Sequence, residues 1–247
     1  MCLKNLLDIK GLSVSIKGAT ILNKLNLTIK CGEIHTIMGP NGSGKSSLTR
    51  VLVRDDRYVV DEGVILYNDN NLLGLTTEQC SLLGIFLAFQ HPISIPGVLN
   101  LHYLKSIYDI HLKNKGCTNV NSTDFLNVIR KHMFDLKMSD DFLYRNLNIG
   151  FSGGEKKKNE ILQMALIKPR LLILDEIDSG LDVDSLKLIT GKINMSRDSG
   201  QSIIVITHYP RILNYIRTDF VHVLSKGSII NTGDYKLALD IEKYGYV

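Results

Sequence analysis

Gly39-Pro40-Asn41-Gly42-Ser43-Gly44-Lys45-Ser46 is the stretch that decides the fold of this chain, because it matches the pattern G-x-x-x-x-G-K-[ST] in full. It follows the apolar run Ile34–Met38 and precedes a helical pattern with apolar residues at Leu48, Val51 and Leu52. Glycines allow a tight turn whose N–H groups point at phosphate oxygens, and a following helix adds its positive N-terminal end. The spacing therefore predicts a strand, a phosphate-binding loop and a helix in immediate succession.

Two side chains of this loop are predicted to act on a nucleoside triphosphate. Lys45 would reach the β and γ phosphates, and the Ser46 hydroxyl would ligate Mg²⁺. A chance glycine-rich turn before a helix is the plain alternative, but the strand–loop–helix context argues against it. A GTPase would also need an N-K-x-D element to read the base, and Asn114-Lys115 continues as Gly116-Cys117 instead.

Short apolar runs recur along the chain on both sides of the loop. Upstream, residues 9–16 and 25–29 alternate and cluster as strands do. Downstream, strand-like runs occupy residues 63–66, 85–90, 171–174, 203–207 and 220–224. The last three are continuous and apolar, which is typical of strands buried on both faces of a parallel sheet, and a helical pattern at 184–196 separates two of them. The sequence thus predicts an α/β fold around a central parallel sheet.

The region between the strand-like runs at 85–90 and 171–174 differs in composition from the rest of the chain. Polar residues mix with Leu, Ile and Phe at helical spacing, most clearly over residues 122–136. We interpret residues 91–165 as a mainly helical subdomain inserted into a single domain that covers residues 1–247.

Composition excludes several classes of protein. The 247 residues are 44% hydrophobic and 22% charged, unlike a disordered chain, and a net charge of +4 gives no support for a nucleic-acid partner. No apolar run approaches the ~18–20 residues that span a bilayer, so we expect a soluble protein without direct membrane insertion. Cys2, Cys31, Cys80 and Cys117 form no C-x-x-C pair, so this chain alone is not expected to hold zinc or an iron–sulfur cluster.

A pair of acids ends the run at residues 171–174. In a parallel sheet, ligands bind at the carboxyl ends of the strands, where Asp175 would hold Mg²⁺ and Glu176 would polarise the water that attacks the γ-phosphate. A solvated acidic turn at the end of a strand is the plain alternative, but the phosphate loop upstream makes it the weaker one.

Four further motifs accompany the phosphate loop and the pair of acids. Ser152-Gly153-Gly154-Glu155 resembles the signature of the ABC ATPase family, and Ser179-Gly180-Leu181-Asp182 resembles its D-loop. Gln90 and His208, each at the end of a predicted strand, stand where that family has its Q-loop glutamine and switch histidine. The segment 152–155 also has the pattern of a helix capping box. The signature and the capping box are compatible interpretations, because a capped helix start can bind an anion.

The resemblance implies an α/β P-loop NTPase fold with a mainly parallel central sheet, an N-terminal antiparallel β part and the inserted helical subdomain. It also implies that two copies stack head to tail around two ATP molecules, with the γ-phosphate between Lys45 of one copy and Ser152 and Gly154 of the other. Catalysis would involve Glu176, His208, Lys45 and Gln90, and Mg²⁺ would be held by Ser46, Gln90 and Asp175. The expected nucleotide-binding residues are Gly39, Pro40, Asn41, Gly42, Ser43, Gly44, Lys45, Ser46, Ser47, Ser152, Gly153, Gly154, Glu155 and Asp182.

Within that family the chain is similar to the SufC type, the ATPase of Suf iron–sulfur cluster assembly. The likeness lies in residues 150–164 (GFSGGEKKKNEILQM), 89–98 (FQHPISIPGV), 178–182 (DSGLD), 206–213 (ITHYPRIL) and the C-terminal segment 233–247. Two departures stand out: Lys158 replaces an arginine, and no aromatic residue lies near residues 15–18, where many ABC proteins stack adenine.

The similarity implies SufB-type and SufD-type scaffold subunits as partners, docked near residues 90–147, and a location in the bacterial cytoplasm or the plastid stroma. The alternative is the ATP-binding subunit of a membrane transporter, which would share every catalytic residue. A non-hydrolysing scaffold would have lost the lysine, the acid or the histidine, all of which are present. A nucleotide kinase would not explain the segment 152–155.

Overall fold

The computed structural model describes residues 4–118, 120–198 and 200–246. The strands are β1 (Asn5–Ile16), β2 (Ala19–Lys30), β3 (Ile34–Met38), β4 (Val59–Tyr67), β5 (Asn70–Asn71), β6 (Ile85–Ala88), β7 (Leu171–Asp175), β8 (Ser202–Ile206), β9 (Phe220–Ser225) and β10 (Ser228–Gly233). The helices are α1 (Lys45–Leu52), α2 (Thr77–Leu82), α3 (Asn100–Asn114), α4 (Ser122–Asp135), α5 (Gly153–Ile167), α6 (Val183–Asp198) and α7 (Tyr235–Tyr244). Cys2 and the final residue of the similar C-terminal segment, Val247, lie outside the described residues.

A six-stranded sheet forms the centre of the molecule, in the order β10-β9-β3-β8-β7-β6. The pairs β9–β3, β3–β8, β8–β7 and β7–β6 are all parallel, and only β10 runs antiparallel to its neighbour. The predicted α/β fold with a mainly parallel sheet is confirmed. Because β3, β7 and β8 are neighbours in register, the residues that follow each of them meet at one edge.

The N-terminal part is a separate antiparallel sheet in the order β2-β1-β4-β5, as expected. Lys17 and Gly18 both have positive φ, at 50° and 79°, which is the backbone of a two-residue hairpin turn between β1 and β2. Each of these strands is 12 residues long, longer than the apolar runs predict, because polar residues whose side chains are exposed also join the ladder.

Two apolar cores cover the two faces of the parallel sheet. Along β7, Leu171 and Ile173 pack into a core shared with the antiparallel sheet and α1, whereas Leu172 and Leu174 pack into a core shared with the helices. This arrangement explains why β7 is apolar at every position rather than at alternate ones.

Helices dominate the region predicted as the insert. α3 and α4 lie within residues 91–165, and α5 begins there and ends two residues beyond it. Buried amides join these parts, since the Asn159 side chain exchanges hydrogen bonds with Asn100 at 3.1 Å and donates to Asn148 at 3.0 Å. Among the described residues, none of the helices has the length and hydrophobicity that crossing a bilayer requires.

Candidate nucleotide-binding site

The phosphate loop lies between β3 and α1, with Gly42 at a φ of 78° and Gly44, the N-cap of α1, at 105°. Neither angle suits a residue with a side chain. The buried ammonium of Lys45 donates to the carbonyls of Gly39 at 2.7 Å and Pro40 at 2.9 Å, which folds it back over the loop. Burial lowers the pKa of Lys45, and the negative charges of Glu176 and Asp175 oppose that change. The loop therefore combines left-handed glycine backbone, whose successive N–H groups can form a concavity for an anion, with one cation.

The turn between β9 and β10 supports this loop from the side. The Gly227 N–H donates to the Ser43 carbonyl at 2.9 Å, and the Gly227 carbonyl accepts from the Asn23 N–H at 3.0 Å. A Cβ on Gly227 would lie 2.4 Å from the carbonyl oxygen of Ile21, so glycine is needed here for close approach as well as for its φ of 79°. This turn ties the antiparallel sheet to the phosphate loop.

Asp175 ends β7 beside the start of α1. Its carboxylate accepts hydrogen bonds from the hydroxyls of Ser46 and Thr49, both at 3.3 Å. Burial, with Glu176 adding to it, raises the pKa of Asp175, and the two hydroxyl donors oppose the rise. A carboxylate and a hydroxyl in contact are hard oxygen ligands of the kind Mg²⁺ prefers, so Asp175 and Ser46 fit the expected metal ion.

Glu176 is the point where three of the predicted residues meet. One carboxylate oxygen accepts from Gln90 Nε2 at 2.5 Å, and the other lies 3.1 Å from His208 Nδ1. Glu176 itself is buried and has a φ of 47°, so the chain turns sharply out of β7 to present this carboxylate. Gln90 follows β6 and His208 follows β8, which places both beside Glu176 because β6, β7 and β8 are adjacent and parallel.

Glu176, Gln90 and His208 line one cleft of about 510 Å³ together with residues of the phosphate loop. Its walls are formed by Ile21, Asn41, Gly42, Gly44, Lys45, Ser46, Ser47, Gln90, Glu176, Ser179 and His208. Sequence reasoning missed Ile21, which β2 brings to the cleft as an apolar wall near the region that lacks an aromatic residue. It also gave no role to Thr49, whose position one helical turn after the loop was the available signal.

Gly39, Pro40 and Ser43 belong to the phosphate loop but do not line the cleft, and the predicted residues of the signature and the D-loop lie elsewhere. Ser152 caps α5 with a reciprocal capping box, in which its hydroxyl accepts from the Glu155 N–H at 3.3 Å and the Glu155 carboxylate accepts from the Ser152 N–H at 2.7 Å. Asp182 caps the start of α6 through Ser185. Ser152 and Asp182 are both exposed, and neither they nor Gly153, Gly154 and Glu155 line the cleft of their own chain.

Comparison with known proteins gives consistent results. The ABC transporter family matches residues 22–179. The chain is 47% identical to the probable ATP-dependent transporter ycf16 of Cyanophora paradoxa, covering 98% of this chain and 93% of that protein. It is 45% identical to the probable ATP-dependent transporter SufC of Escherichia coli (strain K12), covering 98% and 97%.

Solved structures show the same fold. A dimeric ATP-binding cassette in a post-hydrolysis state, bound to ADP and Pi, superposes with a TM-score of 0.79 at 18% identity, covering 93% of this chain and 98% of that one. A nucleotide-free ATP-binding cassette from an ABC transporter gives 0.76 at 22% identity, covering 97% of each chain.

Proposed function

Since this chain belongs to the ABC transporter family, as an ATPase of the SufC and ycf16 type, we propose that it powers iron–sulfur cluster assembly by hydrolysing ATP between two copies of itself. In this proposal, the closing of the two copies remodels SufB-type and SufD-type scaffold subunits that are bound to them. The work is done in the cytoplasm of a bacterium or in a plastid stroma.

One observation carries the catalytic part of the proposal. Glu176 is contacted by both Gln90 and His208 in the cleft that also contains Lys45 and Ser46. A carboxylate that accepts a hydrogen bond from Gln90 and lies 3.1 Å from the His208 ring is positioned to accept the proton of a water that attacks the γ-phosphate, while Lys45 stabilises the negative charge on the phosphate. Bound at Ser46, Asp175 and Gln90, Mg²⁺ would neutralise charge on the phosphate oxygens.

The signature residues support the need for a second copy. The exposed start of α5 has the helix end and hydroxyl that suit a phosphate, and yet it does not line its own cleft. We propose that Ser152, Gly153, Gly154 and Glu155 complete the cleft of the opposite copy, with Asp182 at the same interface.

A groove beside Gln90 is the proposed docking place for the scaffold subunits. Its walls include Phe86, Phe89 and Tyr103, and next to them Ile93 and Ile95 are 63% and 37% exposed. Exposed isoleucines beside an apolar groove suit a protein partner. The groove lies between the Q-loop and the helical region, so movement of Gln90 would change the contacts of a docked partner.

A second candidate, the ATP-binding subunit of a membrane transporter, is favoured by the words "ATP-dependent transporter" in the names of the relatives. Affinity purification of the native chain from its own cells separates the two functions. Recovery of soluble SufB-type and SufD-type subunits supports cluster assembly, whereas recovery of a membrane permease contradicts it.

The ATPase assignment is tested by Glu176→Gln, which keeps the shape of the side chain but removes the base. We expect turnover to fall by about 10²–10⁴-fold, with ATP still bound and a dimer trapped that gel filtration detects. An unchanged rate of phosphate release would contradict the assignment of Glu176.

A further inference from the structure

Phe89 is held through both of its own peptide groups by two charged side chains of α5. Glu160 accepts the Phe89 N–H at 2.9 Å, and the Lys157 ammonium donates to the Phe89 carbonyl. The guanidinium of Arg50, from α1, also lies over the Phe89 ring, 4.6 Å from the ring centroid. The residue just before Gln90 is therefore fixed by the helix that starts at the signature and by the helix that starts at the phosphate loop.

The position of Gln90 depends on this attachment. β6 ends at Ala88, so Phe89 and Gln90 lie beyond the sheet hydrogen bonds that would otherwise hold the chain. Gln90 in turn donates to Glu176 at 2.5 Å. A continuous path thus runs from Glu160 to Phe89, to Gln90 and to the carboxylate proposed as the base.

A purely structural reason for Glu160 is weak. Glu160 and Lys157 are both only 4% exposed, and their charged atoms lie 4.0 Å apart. The second carboxylate oxygen of Glu160 has no hydrogen-bond partner among the described residues. Burial raises the pKa of Glu160 to about 7, against the effect of Lys157. Apolar residues often replace both members of such a buried pair at no cost in stability, so packing alone does not require the pair, whereas removal of one member leaves a buried charge.

We propose that Glu160 is a positioning residue that, through the Phe89 peptide, sets where the Gln90 carboxamide lies relative to Glu176. This inference rests on the catalytic roles proposed above for Gln90 and Glu176, but not on the identity of any partner. Glu160 also lines the groove beside Gln90, so a subunit docked in that groove would touch the same side chain.

The test compares two substitutions of Glu160 that differ in one property. Glu160→Gln keeps an oxygen that can accept the Phe89 N–H, whereas Glu160→Leu has similar volume but no acceptor. In steady-state ATPase assays of the full chain, we expect Glu160→Leu to lower kcat about tenfold with KM for ATP within about twofold, because a displaced catalytic group costs rate rather than nucleotide affinity. Glu160→Gln should retain most of the turnover.

Controls separate positioning from general damage to α5. Met164→Leu introduces the same apolar side chain at another buried position of the helix, outside the groove, and should leave kcat unchanged. If Glu160→Leu does not fold because Lys157 is left buried without its partner, the double variant Glu160→Leu/Lys157→Met, which removes both charges, is compared with Lys157→Met alone. The proposal would be overturned if kcat fell equally in Glu160→Gln and in the apolar variant, or if ATP affinity fell in parallel with kcat.

A double-mutant cycle with Gln90→Ala gives an independent answer. If Glu160 acts through Gln90, adding Glu160→Leu to Gln90→Ala should lower kcat by less than about twofold further, whereas independent effects would multiply. Multiplying effects would overturn the role of Glu160 alone. No change in kcat for Gln90→Ala by itself would overturn the proposed catalytic role and this inference together.

Discussion

Replacing Ser152 with aspartate separates the two roles that this residue can have. As the N-cap of α5, Ser152 accepts one hydrogen bond from the Glu155 N–H. Aspartate caps helices as well as serine does, and its charge suits a helix N-terminus. We therefore expect Ser152→Asp to leave the thermal midpoint of the monomer unchanged. Ser152→Ala loses the cap, which costs about 1 kcal/mol and lowers Tm by roughly 2–4 °C for a chain of this size.

The effect on nucleotide-dependent association should be the opposite. If the start of α5 contacts the γ-phosphate bound by the other copy, the new carboxylate would lie near an anion. Two unit negative charges about 4 Å apart repel by about 1 kcal/mol in water and about 4 kcal/mol near a protein surface. The ATP-dependent dimer should then weaken by a factor of about 5 to 10³, and more salt should reduce the loss.

The assay combines two measurements on the same protein samples. Circular dichroism gives Tm for Ser152→Asp and Ser152→Ala without nucleotide, and sedimentation velocity in the Glu176→Gln background gives the dimer fraction at saturating ATP. A Ser152→Asp variant that keeps its Tm and dimerises as well as its parent would refute the reasoning, because Ser152 would then be a helix cap and nothing more.

Three further predictions concern the site and the fold. Lys45→Ala should abolish ATP binding measured by calorimetry; equal affinity would contradict the predicted phosphate contact. Gly39→Ala places a Cβ 2.1 Å from the Leu224 carbonyl oxygen, so it should lower Tm by several degrees, whereas Gly74→Ala, which meets nothing within 4 Å, should not. Burial lowers the pKa of His222 from 6.5 to about 4. The unfolded chain therefore binds this proton first as pH falls, and stability should decrease from pH 6.5 toward 4. His222→Gln should make that decrease in the free energy of unfolding, measured with urea, shallower. An unchanged dependence on pH would contradict the lowered pKa of His222.

The sequence predicts the centre of the molecule well because its signals are local. The phosphate loop has a pattern that few other structures require, and the continuous apolar run of β7 shows a strand buried on both faces. Asp175 and Glu176 follow that run directly, so their place at the edge of the sheet can be read without knowing the rest of the chain.

Other parts of the fold have no such local signal. α3 buries Asn100 and His111 as well as Leu104, so its inward face does not look apolar in the sequence. The hydrogen bond between Phe89 and Glu160 joins residues 71 positions apart, and no pattern in the sequence indicates it. Ile21 reaches the cleft only because the antiparallel sheet folds against the phosphate loop.

The glycine turn between β9 and β10 limits where the protein can be labelled or extended. Hairpin turns are usually the safest places to insert a fluorophore or a tag. Here the Gly227 N–H and carbonyl connect the phosphate loop to β2, so an insertion at this turn should disturb nucleotide affinity even though the turn is remote in sequence from the loop. The exposed turn after α3, around Gly116 and Cys117, makes no contact with the phosphate loop among the described contacts, although Lys115 beside it donates to the Ile167 carbonyl, and it is the better attachment point for a reporter.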